Sequence, residues 1–416
     1  MQFYKIAVGR LSLTLLALMG STALAESPVS DAAPSRVQWQ TPFAHDKLVD
    51  KVSEQGQNAR GQYFNGPVMR RLGAEGIIKS VLRANMNAAV IDLKDGEGRV
   101  LWDTSIEELR PQRRRYVKDM AALIAKLKAA GIYVIGRVVC FSDPSIPIRY
   151  PERAVQDARP RHAGQVWANT GERNPWLDPY NTKNHDMVVA MAREVEALGI
   201  DEIQFDYFRF PVDEATEFAV FPSRTDVPRR FVLLGLLRRV DEAVGIPLGV
   251  DVFGLTAFRK YDKAGLGQSL EDWAQHLEVF SPMLYVNGMG DWLRDGKPLR
   301  ALRLVAAGVK NMRKRLGHGP IIRPFLQAFS AGADHYGPDF IAEQIHGARS
   351  GEADGFLFWH PASNYGTVRE GMLGPAREMA PFPLADRQAW REQSWRDQLL
   401  MPLDPMPRAA EASNRH

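Results

Sequence analysis

Two aspartates stand near the ends of consecutive short apolar runs, Asp206 in GIDEIQFDYFRFP and Asp251 in GIPLGVDVFG. Strand alternation puts Gln204 and Asp206 on one face, with Phe205 and Tyr207 on the other. In the following run, Gly249, Asp251 and Phe253 share a face, which brings Asp251 to nearly the height of Asp206. Pro211 stops the first ladder. Two carboxylates projecting from neighbouring strands suit cleavage of a glycosidic bond. One protonates the leaving oxygen while the other attacks the anomeric carbon or activates water. Each raises the other's proton affinity, so one of them keeps its proton.

Other strand ends add to this pair. Asp92 and Arg137 lie on adjacent strands, where Asp92 either orients the guanidinium or holds a sugar hydroxyl. Lys94 opens into the glycine turn of IDLKDGEG, and Trp176 and Asp178 lie in NPWLDPYN on a long loop. Glu97 and Asp178 are alternatives to Asp251 as the acid. Gln204, Arg209, Tyr285, Gln327 and Trp359 complete the candidate substrate-binding set, because flat rings and amides together match the mixed character of a pyranose.

The elements that must position these residues repeat a single unit. Five times a helix-patterned stretch ends in glycine and runs into a short apolar strand: KAAGIYVIGRVV, EALGIDEIQFDYFRF, DEAVGIPLGVDVFG, RLGHGPIIRPFLQAF and GEADGFLFWHP. Eight strand candidates follow: Gly61–Asn65, Ala88–Lys94, Tyr133–Val139, Glu202–Phe208, Pro247–Phe253, Val279–Val286, Ile322–Phe329 and Gly355–Trp359. Between them run stripes of 3.6-residue apolar period, such as Val188, Met191, Val195 and Leu198. This pattern predicts an α/β fold, a (β/α)8 TIM barrel with long loops after strands 3 and 4, whose chemistry sits at the carboxyl ends of its strands.

Composition narrows the function. The 416 residues are 45% hydrophobic and 25% charged, ordinary for a globular protein, and the net charge of +4 comes from scattered arginines. That excludes a concentrated nucleic-acid footprint. Lys5 and Arg10 precede the apolar run LSLTLLALMG, and Ala23-Leu24-Ala25 presents small residues for cleavage. The expected layout is a signal peptide at 1–25, a leader at 26–58, the barrel at 59–380 and a partly disordered extension at 381–416. The mature chain is therefore expected in the periplasm or outside the cell, with no stable membrane insertion after cleavage. Cys140 is the only cysteine and reads as a small buried hydrophobe. The histidines are dispersed without HxH or HExxH spacing, and no P-loop or GxSxG elbow is present. No metal and no cofactor is expected.

At AAVIDLKDGEGRVLWDTS, GIYVIGRVVCFSDP, WLDPYN, GIDEIQFDYFRFP, VDVFGLT, SPMLYV and GFLFWHPASNY the chain resembles a glycoside hydrolase domain family first catalogued as a domain of unknown function. That family is distantly similar to the alpha-amylase-like barrel glycosidases, and the resemblance covers roughly residues 59 to 375. It implies a (β/α)8 barrel and carbohydrate hydrolysis. Asp206 lies where alpha-amylase-like barrels place their nucleophile, but Gln204 stands where those enzymes have arginine. Asp251 replaces a glutamic acid proton donor, which leaves the acid and the stereochemical outcome open. A separation of about 5–5.5 Å favours retention and one of about 6.5–9.5 Å favours inversion. The expected function is exported hydrolysis of a cell-envelope or extracellular polysaccharide, with a non-catalytic glycan-binding barrel as the alternative.

Overall fold

The computed structural model describes residues 51–168, 175–212, 216–258, 265–289 and 298–374. The expected signal peptide, most of the leader and the C-terminal extension lie outside the described residues. The strands are β1 (Arg60–Phe64), β2 (Ala88–Lys94), β3 (Tyr133–Val139), β4 (Gln156–Asp157), β5 (Glu202–Asp206), β6 (Ala219–Val220), β7 (Leu248–Val252), β8 (Val279–Pro282), β9 (Ile321–Ile322), β10 (Phe325–Gln327) and β11 (Phe356–Trp359). Nine of them form one sheet in the order β10-β11-β1-β2-β3-β5-β7-β8-β9, and every pairing within it is parallel. Helices link these strands, among them Gly66–Arg83, Met120–Ala129, Thr182–Glu196, Arg229–Asp241, Arg300–Leu316 and Pro338–Ser350.

The strand sequences explain the layering. β2 and β3 are buried at every position, as strands covered on both faces must be, and therefore read as nearly continuous apolar runs. One face packs on the helices through residues such as Ile91, Val138, Phe205 and Val250. The opposite face gathers Tyr63, Val90, Tyr133, Ile135, Phe325 and Leu357 into a separate inner cluster. Gly131 and Gly199 adopt φ of 76° and 86° where helices end, so the chain reverses into β3 and β5 without Cβ strain.

The seventh strand candidate is split. Arg323-Pro324 separates β9 from β10, because proline has no N–H to give the ladder. The first piece pairs with β8 and the second with β11. The two ends of the sheet order are thus consecutive in the chain, and the sheet curls accordingly. Other boundaries also differ from the sequence reading. β5 stops at Asp206 because Tyr207 takes a left-handed φ of 50°. β8 stops at Pro282, short of the expected Val286. The two long loops are joined by an antiparallel ribbon, β4 with β6, which alternation did not reveal.

Candidate functional site

β2, β3, β5 and β7 deliver four charged side chains to one place. Arg137 lies opposite Asp92 on one side and Gln204 on the other. Its Nη1 donates to Asp92 at 2.7 Å, while its Nη2 and Nε donate to Asp206 Oδ2 at 2.5 and 3.0 Å. Its Nε is 3.8 Å from Asp251 Oδ2. The Tyr63 ring lies beneath the guanidinium at 5.6 Å, and the Tyr63 hydroxyl donates to the second oxygen of Asp92 at 2.5 Å. Asp206 Oδ1 accepts the Tyr207 N–H at 2.6 Å, a contact that the left-handed turn makes possible.

Three carboxyls and one guanidinium in a dry site cannot all be charged without cost. Burial, followed by the charge of Asp206, pushes Asp251 well above the usual carboxylate range, and Asp251 shares a hydrogen bond with Asp206. Burial pushes Asp92 up to about 6, against the Arg137 charge and the Tyr63 hydroxyl that pull it down. Burial also disfavours the charged form of Arg137, but Asp206 and Asp92 prevail and hold it well above an ordinary guanidinium. The arrangement is a carboxylate clamped by arginine beside a carboxyl whose proton affinity is raised. Such a pair can give a proton to a leaving oxygen and direct a negative oxygen at a carbon or a water.

Aromatic residues stand next to the pair. Trp359 lies 5.7 Å from Tyr285, 6.3 Å from Tyr63 and 5.4 Å from Phe329, centroid to centroid. Burial, then the charges of Asp251 and Asp206, raise the Tyr285 hydroxyl well above the phenol range, so it remains a donor.

The remaining candidates are engaged elsewhere. Lys94 is fully buried, ion-paired with Asp143 at 2.8 Å and bonded to the Val139 carbonyl. Asp178 accepts the Tyr180 and Ser223 N–H groups, both at 2.9 Å, and so ties the two long loops together. Trp176 is fully buried beneath Arg209, whose guanidinium lies 5.0 Å from that ring, 5.2 Å from Tyr207 and 5.4 Å from Phe253. Gln327 accepts from the Asn287 N–H and donates to the Phe329 and Ala331 carbonyls, which shapes the loop after β10. Gln204 lies beside Arg137, inside the sheet and fully buried. Glu97 is an exposed partner of Arg99.

Sequence reading passed over Tyr63, Glu202, Tyr207 and Arg323. Glu202 was findable by the same alternation that puts Gln204 and Asp206 on one face. Glu202 and Arg323 form a fully buried pair at 2.9 Å below the carboxylates, joined by the Tyr133 hydroxyl at 3.2 Å. Among the described residues, no helix is long and apolar enough to cross a membrane.

The profile of the family described as "Putative glycosyl hydrolase domain" matches residues 63–365. No curated protein matches the chain. Among solved structures, the PgaB (BpsB) glycoside hydrolase domain from Bordetella bronchiseptica superposes with a TM-score of 0.55 at 14% identity, over 76% of this chain and 98% of that one. An alpha-L-fucosidase isoenzyme 2 from Paenibacillus thiaminolyticus gives a TM-score of 0.50 at 12% identity, over 77% of this chain and 48% of that one. A hypothetical protein from Ruminiclostridium thermocellum is 27% identical over 46% of this chain and 97% of its own, with a TM-score of 0.41.

Proposed function

Because the chain belongs to this glycosyl hydrolase domain family, we propose that it is an exported glycosidase, a (β/α)8 barrel that cleaves a cell-envelope or extracellular polysaccharide by paired-carboxylate catalysis. One observation carries the reading: Asp206 is clamped by Arg137, beside the buried Asp251, whose proton affinity burial and the Asp206 charge raise. Asp251 gives a proton to the glycosidic oxygen as its bond to the anomeric carbon breaks. Asp206 either bonds to that carbon or takes a proton from the water that does. Tyr285 and Trp359 supply ring surface beside the reacting sugar, and Asp92 holds Arg137 in place.

The test is incubation of the mature protein with a panel of bacterial exopolysaccharides and peptidoglycan, read by mass spectrometry of released fragments. Asp206→Asn is expected to abolish release while leaving the circular dichroism spectrum that of a folded protein. Undiminished hydrolysis by this variant rejects the role of Asp206.

A second reading has a specific observation behind it. Asp206 is only 6% exposed and Arg137 holds it with two nitrogens, as suits a carboxylate that fastens the sheet of a non-catalytic glycan-binding protein. Oligosaccharide binding without fragment release over long incubation is the outcome that favours it.

A further inference from the structure

The inward faces of β5, β7 and β8 carry four polar atoms for which the described residues supply no hydrogen-bond partner. They are both amide atoms of Gln204, Oδ1 of Asp251 and Oγ of Ser281. Gln204 and Ser281 are fully buried and Asp251 is 2% exposed. Each buried polar group left unpaired costs about 1–3 kcal/mol, so three of them side by side call for a shared partner.

Sheet register brings them together. Asp251 pairs with Ser281 across β7 and β8, and Gln204 pairs with Gly249, two residues below Asp251 on the same face. Neighbouring strands lie about 4.8 Å apart, so one small molecule can touch all three side chains. Gly249 places no side chain between them; a Cβ there would come within 3.1 Å of Glu202 Oε1 and 3.4 Å of Val279 Cβ.

The chemistry selects the occupant. An amide, a hydroxyl and a carboxyl oxygen offer both donors and acceptors, which suits water. The amide N–H and the Arg137 guanidinium nearby oppose a cation. The Gln204 amide is too deeply buried for a sugar ring. Internal waters typically make about three hydrogen bonds to such groups.

We propose that Gln204, Ser281 and Asp251 hold one internal water beneath the carboxylate pair, which makes Gln204 and Ser281 positioning residues for Asp251. The water donates to Oδ1 and so leaves the transferable proton on Oδ2, the oxygen on the Arg137 side. This catalytic meaning rests on the reading of Asp251 as the acid, whereas the water site does not. The other titratable groups facing Asp251 are Asp206 and Glu202 from β5, Arg137 from β3 and Tyr285 after β8. None of them is altered by the substitutions below.

The experiment is a carbon-13 NMR titration of the Asp251 carboxyl in the wild-type chain and in Ser281→Ala and Gln204→Met, together with a high-resolution crystal structure. Each variant removes support for the ionised form. The Asp251 midpoint is expected to rise by about one pH unit, roughly tenfold in proton affinity, and Ser281→Thr is expected to restore it. A density peak within hydrogen-bonding distance of both Gln204 and Asp251 is expected in the crystal. An unchanged midpoint in folded Ser281→Ala overturns the proposal, as does a Gln204 amide bonded directly to protein. Ser281→Ala removes a single atom and decides the matter if Gln204→Met does not fold. No step of this test requires turnover, so an inactive protein would reject the glycosidase reading and leave the water site to be judged separately.

Discussion

Arg137 reaches Asp206 from the adjacent strand with two nitrogens converging on one carboxylate oxygen, at 2.5 and 3.0 Å. The guanidinium that the family resemblance would seek at position 204 thus comes from β3, in register with Gln204. A planar fork is needed for this contact, because the same group also holds Asp92.

Arg137→Lys is therefore expected to fold but to lose turnover, by about 10- to 1000-fold, since an ammonium cannot serve both carboxylates in this geometry. Arg137→Met leaves two buried acids without a cation and is expected to destabilise the protein by about 3–5 kcal/mol. Urea unfolding and fragment release, measured on the same preparations, separate the two effects.

As the proposed acid, Asp251 is active only while protonated, so hydrolysis is expected to fall as pH rises through its raised pKa. Asp251→Asn is expected to slow polysaccharide cleavage by about 100- to 10,000-fold. Aryl glycosides with acidic phenol leaving groups need less protonation and are expected to lose much less. Equal losses on both substrates would remove Asp251 from the role of acid.

Glu278 gives a stability prediction with a definite sign. Burial raises its carboxyl to about 7, and Lys51 at 3.4 Å offsets only part of that. The folded state therefore binds the proton more tightly than the unfolded chain does. Stability is expected to fall as pH rises from about 4.5 to about 7, by on the order of 3 kcal/mol, and to level off above that. Glu278→Gln is expected to flatten this slope in denaturant titrations across the window.

Lys94 and Asp143 are both fully buried and 2.8 Å apart. Lys94→Met leaves the Asp143 charge uncompensated and is expected to cost about 3–5 kcal/mol. The folded fraction is expected to keep its KM within about twofold, as for a lysine that braces β2 against the loop after β3. A large rise in KM with unchanged stability would instead make Lys94 a substrate contact.

Much of the fold was legible because strands covered on both faces must be apolar throughout, and glycine marks the helix ends that feed them. The shared face of Asp206 and Asp251 followed from alternation, and the pairing of Asp92 with Arg137 from their places on adjacent strands. What alternation cannot give is partner choice: Lys94, Asp178 and Gln327 sit at strand ends or in loops where several acceptors compete, and their bonds depend on how distant loops fold back. The break at Pro324 was visible as a residue, but its effect on pairing depends on strands β8 and β11, which are far away in sequence. Tyr207 carried no mark of its left-handed backbone, because tertiary contacts impose that conformation on a residue type that rarely takes it.

Arg323 passes its charge to Glu202 and donates its other terminal nitrogen to the Gly56 carbonyl at 2.6 Å. A Cβ at Gly56 would come within 2.6 Å of the Tyr133 ring. The short turn preceding β1 is therefore a fastener for the floor of the sheet. A protein trimmed to begin at β1 would lose the only acceptor described for that nitrogen, so such a trim is expected to loosen the floor of the sheet.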